Sequence, residues 1–287
     1  MEEELADVIA DFKDFCGLLD IATKAKGTIP FLYGSWHDEQ KKFEEERTGR
    51  DLVVKPRQIG FSTLELARDL HFALTHEGVK VLVVGHDRDL SIDLFRVLKI
   101  MAEGLDSMEL LPETRTDTVR QYAFRKSGSS ITVTEAGSTE SAARKKGRSG
   151  TIHRLHATEV AFWDRPVDTM NALMAAVPDD GEVVIESTTN GAAGLFYEYV
   201  QEAKQRRGSF KLHFFPWFEH QSYREEVAAD FDPDPANKWE ERLRAKGVDD
   251  AQLAWWRKKV ADPAVGTDLA LQEFPMDLET AFRMSGR

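Results

Sequence analysis

The stretch Asp51-Leu52-Val53-Val54-Lys55-Pro56-Arg57-Gln58-Ile59-Gly60-Phe61-Ser62-Thr63 begins as an apolar run, turns, and leaves as a helix. A strand that feeds a glycine turn and then a helix aims backbone N–H groups and the positive end of the helix dipole at one point beyond the sheet, and such a point holds phosphate. The phosphate-loop pattern G-x-x-x-x-G-K-[ST] asks for a flexible glycine, a second glycine for close approach, a lysine for the outer phosphates and a hydroxyl for magnesium. Gly60 and Ser62 satisfy it, but Phe61 stands where the lysine belongs and Lys55 where the first glycine belongs. From the rim of the loop the Lys55 amine can reach the phosphates from the opposite side, which keeps the charge and moves its origin. An ordinary strand-to-helix turn with a solvated lysine fits the same residues, so the loop alone leaves both readings open.

Downstream the same grammar repeats. A strand over 52–55 and a helix over 62–76 are followed by the apolar run 79–84, suited to a strand buried on both faces, and a helix over 90–101. Strand and helix alternating at this spacing predict an α/β fold with a mainly parallel central sheet and crossover helices. Residues 122–125 and 130–134 read as paired strands joined by Lys126-Ser127-Gly128-Ser129. Further strands are expected over 151–157, 182–186 and 210–215, separated by helices near 169–176 and 195–206. Upstream, Leu5, Val8, Ile9, Phe12, Phe15 and Leu19 recur at helical spacing and predict an amphipathic helix over 5–19. After a break at 27–30, a helix is expected from near Ser35 to just before Gly49. Its aromatic lead-in and Gln40 suit stacking on a purine while an amide reads the base edge, with a plain surface glutamine as the alternative.

From Pro216 the texture changes to a loop, Phe231-Asp232-Pro233-Asp234-Pro235, and two charged amphipathic helices near 237–246 and 249–260, with Trp239, Trp255 and Trp256 as packing anchors. This predicts a core with an N-terminal helical arm over 1–215 and a small helical lid subdomain over 216–287.

The whole chain of 287 residues is long enough for about two domains of ~150 residues each. Hydrophobic residues at 41% beside charged ones at 31% fit a soluble globular chain. No uninterrupted apolar run spans a bilayer, and the acidic start Met1-Glu2-Glu3-Glu4 is unlike a secretory leader, so no membrane partner and a cytoplasmic location are expected. Cys16 is the sole cysteine, which excludes an intramolecular disulfide framework and a cysteine-cluster metal site. With 38 Lys+Arg against 50 Asp+Glu the net charge is -12, so any nucleic-acid contact must be local rather than a general coating.

Hydrolysis of a nucleotide also needs groups for metal, water and developing charge. The strand Ile152-His153-Arg154-Leu155-His156-Ala157 runs into Thr158-Glu159, where Glu159 can act as general base and Thr158 occupies the place of a magnesium-holding Asp. A strand-end glutamate that is merely solvated is the alternative. The basic loop Arg144-Lys145-Lys146-Gly147-Arg148-Ser149-Gly150 precedes that strand, and Arg148 can offer bidentate charge to a phosphoryl group. Ile185-Glu186-Ser187-Thr188-Thr189-Asn190-Gly191 carries a strand into hydroxyl and amide groups that can sense a γ-phosphate or a metal-bound water, or make an ordinary turn.

These motifs, in this order, together with Glu159-Val160-Ala161-Phe162-Trp163 and the late segment 271–282, resemble large terminase subunits, the motors that pump DNA into tailed-phage and herpesvirus-type capsids. The resemblance covers nearly the whole chain. It implies a P-loop ATPase of the additional-strand, conserved-glutamate type with a lid, using ATP and magnesium (Mg2+) to move double-stranded DNA. It implies that Lys55 is a displaced phosphate-loop lysine and, with Arg57, a catalytic cation, and that Pro56, Gln58, Ile59, Gly60, Phe61, Ser62 and Thr63 complete the nucleotide loop. It further implies that Gln40 faces adenine, Arg148 is a finger acting on a neighbouring subunit, Glu159 is the base, Ser187, Thr188, Thr189 and Asn190 couple the site to motion, and Ser62 and Thr158 face the metal. The Thr158 departure puts magnesium affinity in question. Family members work as a homo-oligomeric ring, a pentamer, on a capsid portal with a small terminase subunit, in the host cell cytoplasm. They continue into a nuclease domain, expected to begin where this chain ends, so no DNA cutting is expected of it. A helicase-like DNA-remodelling ATPase and a nucleotide-binding scaffold with little hydrolysis are the alternatives.

Overall fold

A computed structural model describes residues 9–23, 27–118, 120–137 and 150–282. A two-stranded ribbon, β1 (Asp20–Ala22) and β2 (Thr28–Pro30), precedes the main sheet. The main sheet comprises β3 (Arg50–Val54), β4 (Lys80–Gly85), β5 (Thr114–Asp117), β6 (Gln121–Phe124), β7 (Ser130–Glu135), β8 (Arg154–Thr158), β9 (Glu182–Ser187) and β10 (Lys211–Phe214). Its spatial order is β10-β3-β9-β8-β4-β7-β6-β5. The six strands from β10 to β7 are parallel, and β6 and β5 continue the sheet antiparallel. The mainly parallel sheet expected from the sequence is thus the observed one.

Alternation within the buried strands sorts side chains onto two cores. Val53, Val81, Val83 and Val184 face one layer, where they meet Phe61, Leu64 and Leu70 of the helix Phe61–Thr75 and Leu94, Leu98 and Met101 of Arg88–Ser107. Leu52, Val54, Leu82, Val84, Leu155, Ala157 and Ile185 face the other, where Met170 and Leu173 of the helix Pro166–Met174 and Phe196 and Val200 of Leu195–Lys204 cover them. Helices on both faces satisfy a sheet whose central strands are apolar on both sides.

Three expectations are corrected. Of the helix expected over 5–19, residues 5–8 lie outside the described residues, and the rest is not one helix: the Asp11 side chain accepts from the N–H groups of Lys13 (2.8 Å) and Asp14 (3.0 Å) and starts a short helix, Phe12–Cys16. The next helix starts at Asp38 rather than near Ser35, because His37 and Gln40 close a capping box there; a 3-10 turn occupies Tyr33–Ser35. Beyond the expected helices Lys238–Ala245 and Asp250–Ala261, two more follow, Gly266–Glu273 and Leu278–Ala281. Trp217 stacks on Trp255 (4.8 Å) and Trp256 (5.8 Å), and Phe282 returns to the opposite core beside Tyr197 (5.2 Å) and Phe196 (6.2 Å). The C-terminal helices therefore pack at the sheet's carboxyl edge and end inside its second core. Among the described residues no helix is long and apolar enough to cross a membrane.

Candidate active site

The strand β3 ends at Val54 and the chain turns through Lys55–Gly60 before the helix Phe61–Thr75. Gly60 takes the left-handed conformation (φ 71°), and a Cβ there would lie 3.1 Å from Gln40 Nε2, so both the turn and the close approach call for glycine. No side chain caps the helix start, which leaves the first-turn N–H groups directed out of the sheet edge. Phe61, in the usual lysine position, is a core residue packed edge-on against Phe43 at 4.8 Å. Pro56 and Ile59 are buried beneath the loop.

Lys55 carries the loop's charge. Its Nζ lies 3.1 Å from Glu159 Oε1 and 2.9 Å from Glu186 Oε2, and its side chain is 5% exposed. Burial opposes the ammonium, but the two carboxylates outweigh burial and hold Lys55 above its ordinary range. Lys55 and Glu159, from separate strands, therefore converge on one point.

Glu159 itself sits in the left-handed region (φ 54°, ψ 42°), where a residue with a Cβ is strained, and this turns its carboxylate back over the sheet edge. Its Oε2 accepts from Ser187 Oγ (3.3 Å), Thr188 N (3.3 Å) and Thr188 Oγ1 (3.5 Å). Asn190 Nδ2 donates to Ala161 O (3.1 Å), tying the same loop to the turn after Glu159. Thr189 Oγ1 meets the carbonyls of Gln272 (3.1 Å) and Ala281, so the residues expected to couple the site link Glu159 to the C-terminal helices.

Glu186 was read from sequence only as the lead-in to that segment, yet it lies at the centre. The register pairs it with Val53 on one side and Thr158 on the other, because β9 is inserted between β3 and β8. Ser62 Oγ donates to its Oε1 (2.8 Å). Burial would raise the Glu186 pKa, but Lys55, then His156, then the Thr158 hydroxyl outweigh it and hold the carboxyl well below the usual range. Thr158, expected to face a metal, is buried beside Glu186 as its register partner.

Behind Glu186 runs a column of buried charge between sheet and helix. His156 Nε2 lies 3.5 Å from Glu186 Oε1 and its Nδ1 2.8 Å from Asp69 Oδ2; burial opposes the imidazolium, yet these acids push His156 up to about 9. Asp69 also accepts from Arg154 Nε (2.7 Å), and Arg154 reaches Glu65 and Glu182 as well. Glu182 pairs onward with Arg47 (2.7 Å).

Gln40 differs from expectation. It is 2% exposed, its Oε1 accepts from His37 N (2.9 Å), and its Nε2 donates to Gly60 O (2.8 Å), so its amide buttresses the glycine turn rather than an open base-binding face. Arg57 is mostly exposed and is engaged by the C-terminal helices. Its guanidinium pairs with Glu273 (3.0 Å), its N–H donates to Glu273 O (3.2 Å), and Tyr223 Oη donates to its carbonyl. Arg148 lies outside the described residues.

A glycine turn at one parallel strand's end, a glutamate just past the end of a second and a further strand between the two define a mainly parallel α/β fold whose sheet edge brings loop and glutamate together. The chain has, more particularly, the fold of large terminase ATPase domains. It superposes on the large terminase ATPase domain of Thermus phage P74-26 with a TM-score of 0.54 at 15% identity, over 84% of this chain and 93% of that one. It superposes on the large terminase of bacteriophage HK97 with a TM-score of 0.61 at 12% identity, over 94% of this chain and 54% of that one. The chain thus spans about half the length of the HK97 protein. No protein-family model matches the sequence, and no curated protein is significantly similar to it.

Proposed function

We propose that this chain hydrolyses ATP and couples hydrolysis to movement of double-stranded viral DNA into a procapsid. The observation that carries this reading is the meeting of Lys55, Glu159 and the Ser62–Glu186 pair at the open N-terminus of one helix. The helix N-terminus and Lys55 suit the outer phosphates, Glu159 suits the water in line with the γ-phosphate, and Ser187 and Thr188 orient Glu159. Glu159 accepts the proton as the water oxygen bonds to γ-phosphorus and the bond to the bridging oxygen breaks, releasing ADP. Ser62 Oγ and the carboxylate beside it are hard oxygen donors of the kind magnesium takes, and the ion supplies charge neutralisation on the phosphates when bound.

The motor part of the reading rests on the likeness of fold together with the Thr189 link from the site to the C-terminal helices. It carries with it the expected ring on a portal, the small-subunit partner, Arg148 acting on a neighbour and a transient site of action on the procapsid in the host cytoplasm. One observation favours a rival: Lys55 clamped by two carboxylates suits a nucleotide-binding scaffold that turns over little.

Phosphate release and nucleotide affinity, each measured with and without duplex DNA, separate them. Glu159→Gln should keep affinity and lose about 10²–10⁴-fold in turnover, the range for removing a general base. Lys55→Ala should weaken affinity by ~10–100-fold, as loss of a charge-assisted contact does. Full turnover in both variants would reject the assignment, and tight binding with no turnover in the parent chain would favour the scaffold.

A further inference from the structure

Resting on the ATPase reading, the acid that holds the metal remains to be placed, since the strand before Glu159 offers Thr158 where P-loop enzymes carry an aspartate. We propose that Glu186, on the neighbouring strand β9, is the metal-holding carboxylate of this site.

Register comes first. Thr158 and Glu186 are direct partners in the β8–β9 pairing, and neighbouring strands lie about 4.8 Å apart, so a glutamate reaching sideways can present oxygen in front of residue 158. Both residues are buried at this register position, so the acid stands beside the place where a side chain from position 158 would act. The second observation is Ser62, the first-turn hydroxyl of the phosphate-loop helix, whose Oγ is 2.8 Å from Glu186 Oε1. A hydroxyl and a carboxylate in contact are the two protein donors that bracket magnesium in such sites. Third, Glu186 is fully buried, and Oε2 has no hydrogen bond of normal geometry, only the charge of Lys55 at 2.9 Å. An ammonium already stands where a divalent cation would balance Glu186 and Glu159, and it is the group expected to move to the phosphates when nucleotide arrives.

The test reads binding rather than turnover. Affinity for a non-hydrolysable ATP analogue is measured by calorimetry in magnesium and in EDTA, on the parent chain, Glu186→Gln, Thr158→Asp and the double variant. The parent chain should bind more tightly in magnesium. Glu186→Gln should lose that increment by at least the ~10–100-fold that even outer-shell partners of a metal command, with little change in EDTA. Adding Thr158→Asp to Glu186→Gln should restore it. Should Glu186→Gln fail to fold, Thr158→Asp alone decides: a change below about threefold in the magnesium increment is expected if the site already has its acid, and a gain of tenfold or more would overturn the proposal. An undiminished increment in folded Glu186→Gln would overturn it too, while leaving the ATPase reading intact. Absence of analogue binding by the parent chain in either buffer would bring down the ATPase reading and this proposal with it.

Discussion

Arg154 is 1% exposed, and its burial is tolerable only because Glu65, Asp69 and Glu182 all meet its guanidinium. Removing one partner from a buried network leaves charges uncompensated, which costs about 3–5 kcal/mol. Arg154→Met is therefore expected to lower the free energy of unfolding by that amount in urea melts, and a loss under about 1 kcal/mol would mean that water screens the column. The two halves of this network were each visible in the sequence. Arg154, His156 and Thr158 alternate with Leu155 and Ala157, and Ser62, Glu65 and Asp69 recur at helical spacing. What neither pattern contains is the pairing of one polar face with the other, since that depends on which strand the helix crosses. The same gap explains Glu186: a residue buried beside Val184 and Ile185 reads as an interrupted apolar strand until β9 is known to lie next to the loop strand. Lys55 and Glu159 were legible because their chemistry sits at strand ends, where the local pattern already marks a turn.

Among the elements, most strands of the main sheet were legible, whereas β1, β2 and β5 were not. Strands buried on both faces leave apolar runs, whereas β1, β2 and β5 are three or four residues long, half-buried or exposed, and leave no periodic trace. The N-terminal arm shows how a local polar contact overrides helical spacing, for Asp11 ends one turn and begins another. That arm is seated on the helix Phe61–Thr75 through His71, whose ring lies 5.4 Å from Phe12 and 5.0 Å from Phe15 and whose Nε2 is 2.9 Å from Ile9 O. Burial depresses the His71 pKa to about 4 against the carbonyl of Ile9, which works the other way. An imidazole held neutral in the folded state while the unfolded chain binds a proton near 6.5 loses stability as pH falls from about 6.5 to about 4, and the full contribution is present above 6.5. Urea melts across pH 7.5 to 4.5 should therefore show a steeper acid loss in the parent chain than in His71→Gln, whose amide can keep the bond to Ile9 O without titrating. Equal slopes would mean that His71 is hydrated in solution.

Across the whole molecule, the site and the C-terminal helices share their hydrogen bonds, so neither can shift alone. Thr189 Oγ1 reaches Gln272 O and Ala281 O, Arg57 is held by Glu273 through side chain and backbone, and Tyr223 closes on the carbonyl of Arg57. Within the segment 216–287, expected from its change in composition to be a lid, Phe282 straps the described part to the core beneath Leu195–Lys204. The same strand loop that gives Thr189 to the C-terminal helices gives Ser187 and Thr188 to Glu159, so under the proposed hydrolysis a rearrangement of the glutamate has a short path to those helices through three consecutive residues and their hydrogen bonds. Thr189→Val keeps the shape and removes only the donor. It is expected to leave nucleotide affinity within about twofold and to cost stability about 1 kcal/mol, the net worth of a buried hydrogen bond, while abolishing most of any stimulation of hydrolysis by duplex DNA. The measurement is the ratio of steady-state phosphate release with and without DNA at saturating nucleotide. A ratio equal to that of the parent chain would show that motion at the site reaches the C-terminal helices by some route other than this hydroxyl, with the Arg57–Glu273 pair the next to break.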